Sequence, residues 1–382
     1  MLEFYEKFEI IFTSLRNSDL DGSKSLIYQH STNIKKLLNI PDNLNVVWFN
    51  LQHESLYNHI FDSHFNKIKQ FITSSDQIIV LSLLGYHMPL NNDMIVNLNK
   101  FSQSLPNTII LCGGSLGSWS DNFETPILFT VSQLMYYEFE LFLYAHKKFF
   151  TQSDAILNNT KKNKKFLFIG TKDYPNRKFL LSNIINNNLL DQGFVSYKQV
   201  FSKNLSSGLY TDEEIQLITS VANSIDDYLP LPVLDNSINY MEMPIEIPLD
   251  SYLNMVTDTF FESAPNTTFL SEKVFYAIAN WQMFIVMSPA YTLRYLREQG
   301  YQTFGNYIDE SYDTIENNCE RLIAVTKSFI DFISQPIEII EEVYIKCLPI
   351  IEHNRQRLLD NQFITKFNNE LLRAIEENKL FH

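Results

Sequence analysis

The sequence predicts an α/β protein of two domains, each built on a parallel sheet, with a helical C-terminal tail. Three observations predict it. Short apolar runs of the buried-strand type alternate with segments of helical spacing. The same rhythm restarts after a polar, lysine-rich stretch. A length of 382 residues suits two domains of ordinary size.

The elements follow in order. Residues 1–40 read as mixed and helical, ending near Ile40-Pro41-Asp42. Val46-Val47-Trp48-Phe49 is a β-branched and aromatic run, the first strand. Residues 56–73 carry apolar side chains at Leu56, Ile60, Phe61, Phe65, Ile68 and Ile72, a helical spacing that opens after Glu54-Ser55. Residues 77–84 form a second strand stopped by Gly85, residues 90–105 a helix stopped by Pro106, and residues 108–112 a third strand stopped by Gly113-Gly114. This alternation implies βαβ units and a parallel sheet. Residues 130–150 read as a long aromatic-rich helix. Residues 151–165 read as a linker, with Lys161, Lys162, Lys164 and Lys165 as a solvated hinge.

Phe166-Leu167-Phe168-Ile169-Gly170 begins the second domain. A helix over 176–187, an extended piece over 193–197, and a proline-bearing loop or edge over 230–248 follow. A strand over 253–258, a helix over 270–280, a strand over 283–287 and a helix over 291–299, ended by Gly300, complete the rhythm. Residues 314–379 read as helical with a break at Pro336. The expected division is therefore 1–150, linker 151–165, 166–335, and helices over 336–382 that brace the two domains. Paired parallel sheets leave a cleft between them and bind ligands at the carboxyl ends of their strands.

Composition narrows the partners. With 44 acidic against 30 basic residues, a net charge of −14 repels phosphate backbones, which disfavours nucleic acid as the primary partner. Cys112, Cys319 and Cys347 are odd in number and widely spaced, with no CxxC pair. That fits a reducing compartment. The N-terminus lacks the pattern of a signal peptide, and no apolar run is long enough to span a bilayer. The expectation is a cytoplasmic protein with no membrane span.

Neither a GxGxxG fingerprint nor a P-loop is present, and no HExxH occurs. Cys112-Gly113-Gly114-Ser115-Leu116-Gly117 is a glycine-rich turn after a strand whose spacing matches no cofactor motif. His59 and His64 are spaced poorly for a shared metal, so no metal is expected. The informative block is Ser271-Glu272-Lys273 at the start of an amphipathic helix. Serine there is a natural N-cap. First-turn amides, the helix dipole and Lys273 together favour a phosphate. Glu272 suits hydrogen bonds from ribose or sugar hydroxyls.

This block resembles the donor-binding segment of fucosyltransferase-like glycosyltransferases of the GT-B type. The order Ser271-Glu272-Lys273, Phe284-Ile285-Val286, Ser288-Pro289-Ala290-Tyr291 follows that pattern. The continuations over 295–304 and 308–313 are similar to uncharacterised phage and bacterial relatives. Phe166 to Gly170 followed by Asn176-Arg177-Lys178 resembles the strand and helix start that meet the donor diphosphate. The resemblance covers residues 166–331. It implies two Rossmann-like domains facing a cleft, with donor binding by Arg177, Lys178, Ser271, Glu272 and Lys273. Arg177 and Lys273 would hold the diphosphate and Glu272 would orient the donor. It also implies a nucleoside-diphosphate sugar as substrate, with no separate cofactor, and a glycan or other hydroxyl as acceptor. Val274-Phe275-Tyr276 depart from the basic residues that often follow in that family, so fucose is one donor among several.

An inverting transfer needs a base in the acceptor domain, and Glu54, His87 and Glu124 stand near predicted strand ends there. Two other readings fit the same sequence. One is a glycosyltransferase acting on modified DNA bases. The other is a binding or structural protein that keeps the fold without turnover.

Overall fold

The computed structural model describes residues 46–50, 77–83, 92–105, 107–112, 127–128, 161–170, 173–197, 208–225, 244–258, 261–262 and 271–359, with a few single positions elsewhere. The chain divides into two compact units, Met1–Phe139 with Asn361–His382, and Glu140–Asp360.

In the first unit, β1 (Val46–Asn50), β2 (Ile78–Leu83), β3 (Thr108–Cys112) and β4 (Ile127–Leu128) form a parallel sheet in that order. Helix α1 (Asn92–Ser104) joins β2 to β3. The register pairs Val46 with Ile78 and Ile79 with Thr108. Val47, Ile78, Ile79, Leu98 and Phe101 are buried, as the apolar runs predict. β4 spans two residues, too short to show any periodicity in the sequence.

The second unit carries β5 (Lys164–Gly170), α2 (Pro175–Asn186), β6 (Gly193–Tyr197), α3 (Asp212–Asn223), the single turn α4 (Glu246–Leu249) and β7 (Ser251–Thr257). It continues with α5 (Glu272–Ala279), β8 (Met283–Met287), α6 (Thr292–Glu298), α7 (Asn318–Ile333) and α8 (Ile337–Leu359). The strands are all parallel, in the order β6-β5-β7-β8. β7 and β8 are buried along their whole length; β8 accordingly reads as an unbroken apolar run, whereas β7 also buries Ser251, Asn254 and Thr257.

α2 carries the chain from β5 outward to β6, and α5 carries it from β7 outward to β8 in the opposite direction. Right-handed crossovers then place these two helices on opposite faces of the sheet. α2 packs against α3 and α7, whereas α5 packs against α8. Phe166 meets Phe329 of α7 edge to face at 5.2 Å, and Tyr252 meets Tyr344 of α8 at 5.3 Å. The tail breaks at Pro336 as expected, because its carbonyl accepts from the amides of Ile339 and Ile340 and opens α8. α8 packs on β5, β7 and β8 of its own unit, and residues 361–382 group with the first unit.

The lysine stretch departs from the solvated-hinge reading. β5 begins at Lys164, and Lys162 and Lys165 are buried. Lys162 Nζ donates to Leu249 O at 2.6 Å and lies 5.1 Å from the Tyr344 ring centre. Lys165 Nζ donates to Ile333 O and Gln335 O at 3.0 and 2.6 Å, supplying a cation to the carboxyl end of α7. Long apolar stems let these side chains cover core surface while the ammonium finds carbonyls.

Candidate functional site

The strand order of the second sheet reverses direction between β5 and β7. At such a switch point the helices leave on opposite faces and open a crevice at the carboxyl edge. Residues that follow β5, β7 and β8, with the first turns of α2 and α5, are brought to that edge.

On the α2 side, Pro175 occupies the start of the helix, where its fixed φ suits the first turn and its missing N–H costs nothing. Arg177 lies two residues on and is 1% exposed. Its Nη2 donates to Thr257 O, the last residue of β7, at 3.0 Å. The guanidinium lies over the Tyr174 ring at 5.0 Å, a cation–π contact. Asn176 is buried beside it, with Nδ2 3.8 Å from Met287 Sδ at the end of β8. The neighbouring Thr257 hydroxyl is buried and has no hydrogen-bond partner among the described residues. Lys178 turns elsewhere, donating to Asn223 Oδ1 at the end of α3 at 3.2 Å. Across the first turn after β5, Tyr197 Oη donates to Asp173 Oδ1 at 2.6 Å. Gly170 is required where that ring passes, because a Cβ would lie 2.6 Å from Tyr197 Cδ2.

On the α5 side, Ser271 caps the helix, its Oγ accepting from Lys273 N at 3.3 Å. Lys273 is buried, with Nζ 3.5 Å from the same oxygen. Ser271 Oγ in turn donates to Asp258 Oδ1, and Ser288 Oγ donates to Asp258 Oδ2 at 2.7 Å. Asp258 follows β7 directly and is 1% exposed, and its own N–H donates to Met287 O at 3.0 Å. Glu272 opens α5, but its side chain lies outside the described residues.

A second tier holds these loops. Arg321 of α7 is buried and donates to Ser288 O at 3.1 Å, Phe261 O at 2.8 Å, Ile315 O at 2.8 Å and Asn318 Oδ1 at 2.7 Å. Burial lowers its pKa to about 10. Asp313 accepts the first-turn amides of α6 from Leu293 at 2.7 Å and Arg294 at 2.9 Å. Burial pushes its carboxyl up, against those two hydrogen bonds. Glu310 accepts from Thr303 Oγ1 and Phe304 N, each at 2.7 Å. Tyr291 sits between β8 and α6 in the left-handed region, with φ 66°. Its N–H is held by Asp313 O at 2.6 Å and its hydroxyl by Glu316 at 2.7 Å.

Of the residues singled out from sequence, Arg177 and Ser271 therefore reach one edge, on the consecutive residues Thr257 and Asp258, with Lys273 held against Ser271. Lys178 is tied to α3 instead. Glu54, His87 and Glu124 lie outside the described residues. Sequence reasoning missed Asp258 and Arg321. An acid placed directly after an apolar strand is the signal that marks Asp258. Arg321 carries none, since its acceptors come from three separate segments, at Phe261, at Ser288 and at 315–318. Among the described residues no cluster of three or more His, Cys, Asp or Glu is arranged to hold a metal ion. No described helix is long and apolar enough to cross a membrane.

No family model and no curated protein matches the chain. Among solved structures, an α,α-trehalose-phosphate synthase (UDP-forming) from Burkholderia vietnamiensis is 11% identical with a TM-score of 0.42, covering 92% of this chain and 78% of that one. The N-terminal domain of Candida albicans trehalose-6-phosphate phosphatase is 13% identical with a TM-score of 0.39, covering 92% and 75%. An Escherichia coli structure described as trehalose-6-phosphate bound with UDP-2-fluoro glucose is 11% identical with a TM-score of 0.40, covering 88% and 76%. At such identities and scores these proteins lend no support to any activity of this chain.

Proposed function

We propose that the chain is a glycosyltransferase that moves a sugar from a nucleoside-diphosphate sugar to an acceptor hydroxyl, with the diphosphate held at the carboxyl edge of the second sheet. One observation carries the reading. Two buried cations flank the end of β7: Arg177 from α2 donates to Thr257 O, and Lys273 from α5 lies against Ser271, whose hydroxyl donates to Asp258.

The chemistry uses that arrangement. As the bond between the anomeric carbon and the diphosphate oxygen breaks, the electron pair leaves with the diphosphate. A fixed guanidinium and ammonium stabilise this growing charge without reorganising. The acceptor oxygen forms the new bond to the anomeric carbon, and its proton passes to a base. Glu54, His87 and Glu124 are the candidates, in a transfer read as inverting and metal-independent. Glu272 would accept hydrogen bonds from the donor sugar or ribose. The donor is itself the substrate, so no further cofactor is invoked. The cytoplasm is the compartment proposed.

A second reading has its own observation. Arg177 donates to a backbone carbonyl and Lys273 touches its own helix cap, which is how structural cations behave. On that reading the edge binds a nucleotide without turnover.

Incubation with a panel of uridine, guanosine and adenosine diphosphate sugars separates the two. Release of nucleoside diphosphate, faster with an added glycan acceptor, is the expected result. Binding with no release would favour the second reading, and neither binding nor release would contradict both.

A further inference from the structure

We infer that Asp258 is a positioning residue for Lys273, fixing how the first turn of α5 meets the carboxyl edge. The inference rests on the proposed donor site and adds a residue to it.

A serine hydroxyl has one proton to give and two lone pairs to receive, whereas an ionised carboxylate only accepts. Asp258 takes the single proton of Ser271 on Oδ1. The lone pairs of Ser271 are then left for Lys273, whose backbone N–H lies at 3.3 Å and Nζ at 3.5 Å. The other carboxylate oxygen takes the proton of Ser288 at 2.7 Å. The Asp258 N–H reaches Met287 O at 3.0 Å, and Arg321 Nε holds Ser288 O at 3.1 Å. One carboxylate thus joins the ends of β7 and β8 to the start of α5. Hydrogen bonds to a buried charge are the strong ones, and their geometry is correspondingly firm.

The same strand provides a contrast. At its amino end Ser251, equally buried, accepts from Gln282 Nε2 at 2.6 Å in a neutral pair remote from the carboxyl edge. Loss of that pair should cost stability alone.

The test measures binding of UDP, GDP and ADP to the full chain by calorimetry, with folding followed by circular dichroism. Asp258→Ala and Ser271→Ala are each expected to weaken binding about tenfold or more. The double variant should be no weaker than the worse single one, because both break one linkage. Ser271→Thr keeps the hydroxyl and should restore binding to within about threefold of wild type. Ser251→Ala should lower the melting temperature and leave affinity unchanged. Should Asp258→Ala not fold, Asp258→Asn replaces it, offering one acceptor oxygen for two hydroxyl protons. Wild-type affinity in the folded Asp258 variant, or losses that add in the double variant, would overturn the inference alone. A wild type that binds none of the three diphosphates would overturn the donor-site reading and this inference with it.

Discussion

A lysine inside a protein is costly unless its charge is met or given up. Lys162 shows both pressures. Burial lowers its pKa from 10.5 to about 7, with Asp250 acting the other way. Its folded value lies below the unfolded one, so between about pH 7 and 10.5 the unfolded chain binds a proton that the folded chain does not. Stability therefore rises with pH across that window, by up to ~1.4 kcal/mol per unit from this group. Below about pH 7 both states carry the proton and the penalty is constant. Denaturant unfolding from pH 7 to 9 should show the rise in wild type and a smaller one in Lys162→Met. Equal slopes in the two proteins would count against the assignment. The same residue marks a limit of the sequence. Four lysines among five residues look solvated, and nothing local shows that Tyr252 and Tyr344, from remote segments, will enclose one of them. Arg177 and Lys273 were legible because each opens a helix beside a strand end. Asp258 was not, because its two serine partners come from other turns.

At the scale of elements, the strands were legible where burial on both faces leaves an unbroken apolar run, as in Met283–Met287. Helix α3 was missed, although Thr211-Asp212-Glu213-Glu214 carries its signature. Glu214 N donates to Thr211 Oγ1 at 3.3 Å and Thr211 N donates to Glu214 Oε2 at 2.7 Å, a capping box. The Thr211 backbone N–H, and after it the Asn317 side-chain amide, hold the Glu214 carboxyl below its usual range. Thr211→Ala should cost about 1 kcal/mol, read as a fall in melting temperature of about 2–4 °C. No fall would mean that the cap contributes nothing in solution. Helix α7 carries a larger stake. Arg321→Lys keeps the charge but loses the planar fork that serves Ser288, Phe261, Ile315 and Asn318. Buried carbonyls left unpaired cost about 1–3 kcal/mol each, so this conservative change should destabilise more than Thr211→Ala does. A melting temperature within a degree or so of wild type would refute that ranking.

For the molecule as a whole, the sequence conveyed two parallel α/β sheets because each is built from consecutive strand–helix units. The strand order of the second sheet was not legible, since register and crossover direction depend on packing between distant segments. That order matters most, because it creates the switch point that the helices carrying Arg177 and Lys273 flank. On a chain with a net charge of −14, a phosphate is favoured at a local cationic site over the rest of the molecule.

The most direct test of this account is calorimetric titration of the full chain with nucleoside diphosphates, wild type beside Lys273→Ala. The account predicts that at least one diphosphate binds the wild type and that Lys273→Ala weakens it about tenfold or more at unchanged fold. Equal affinity in the variant, or no binding in the wild type, would contradict a donor site at the carboxyl edge of the second sheet.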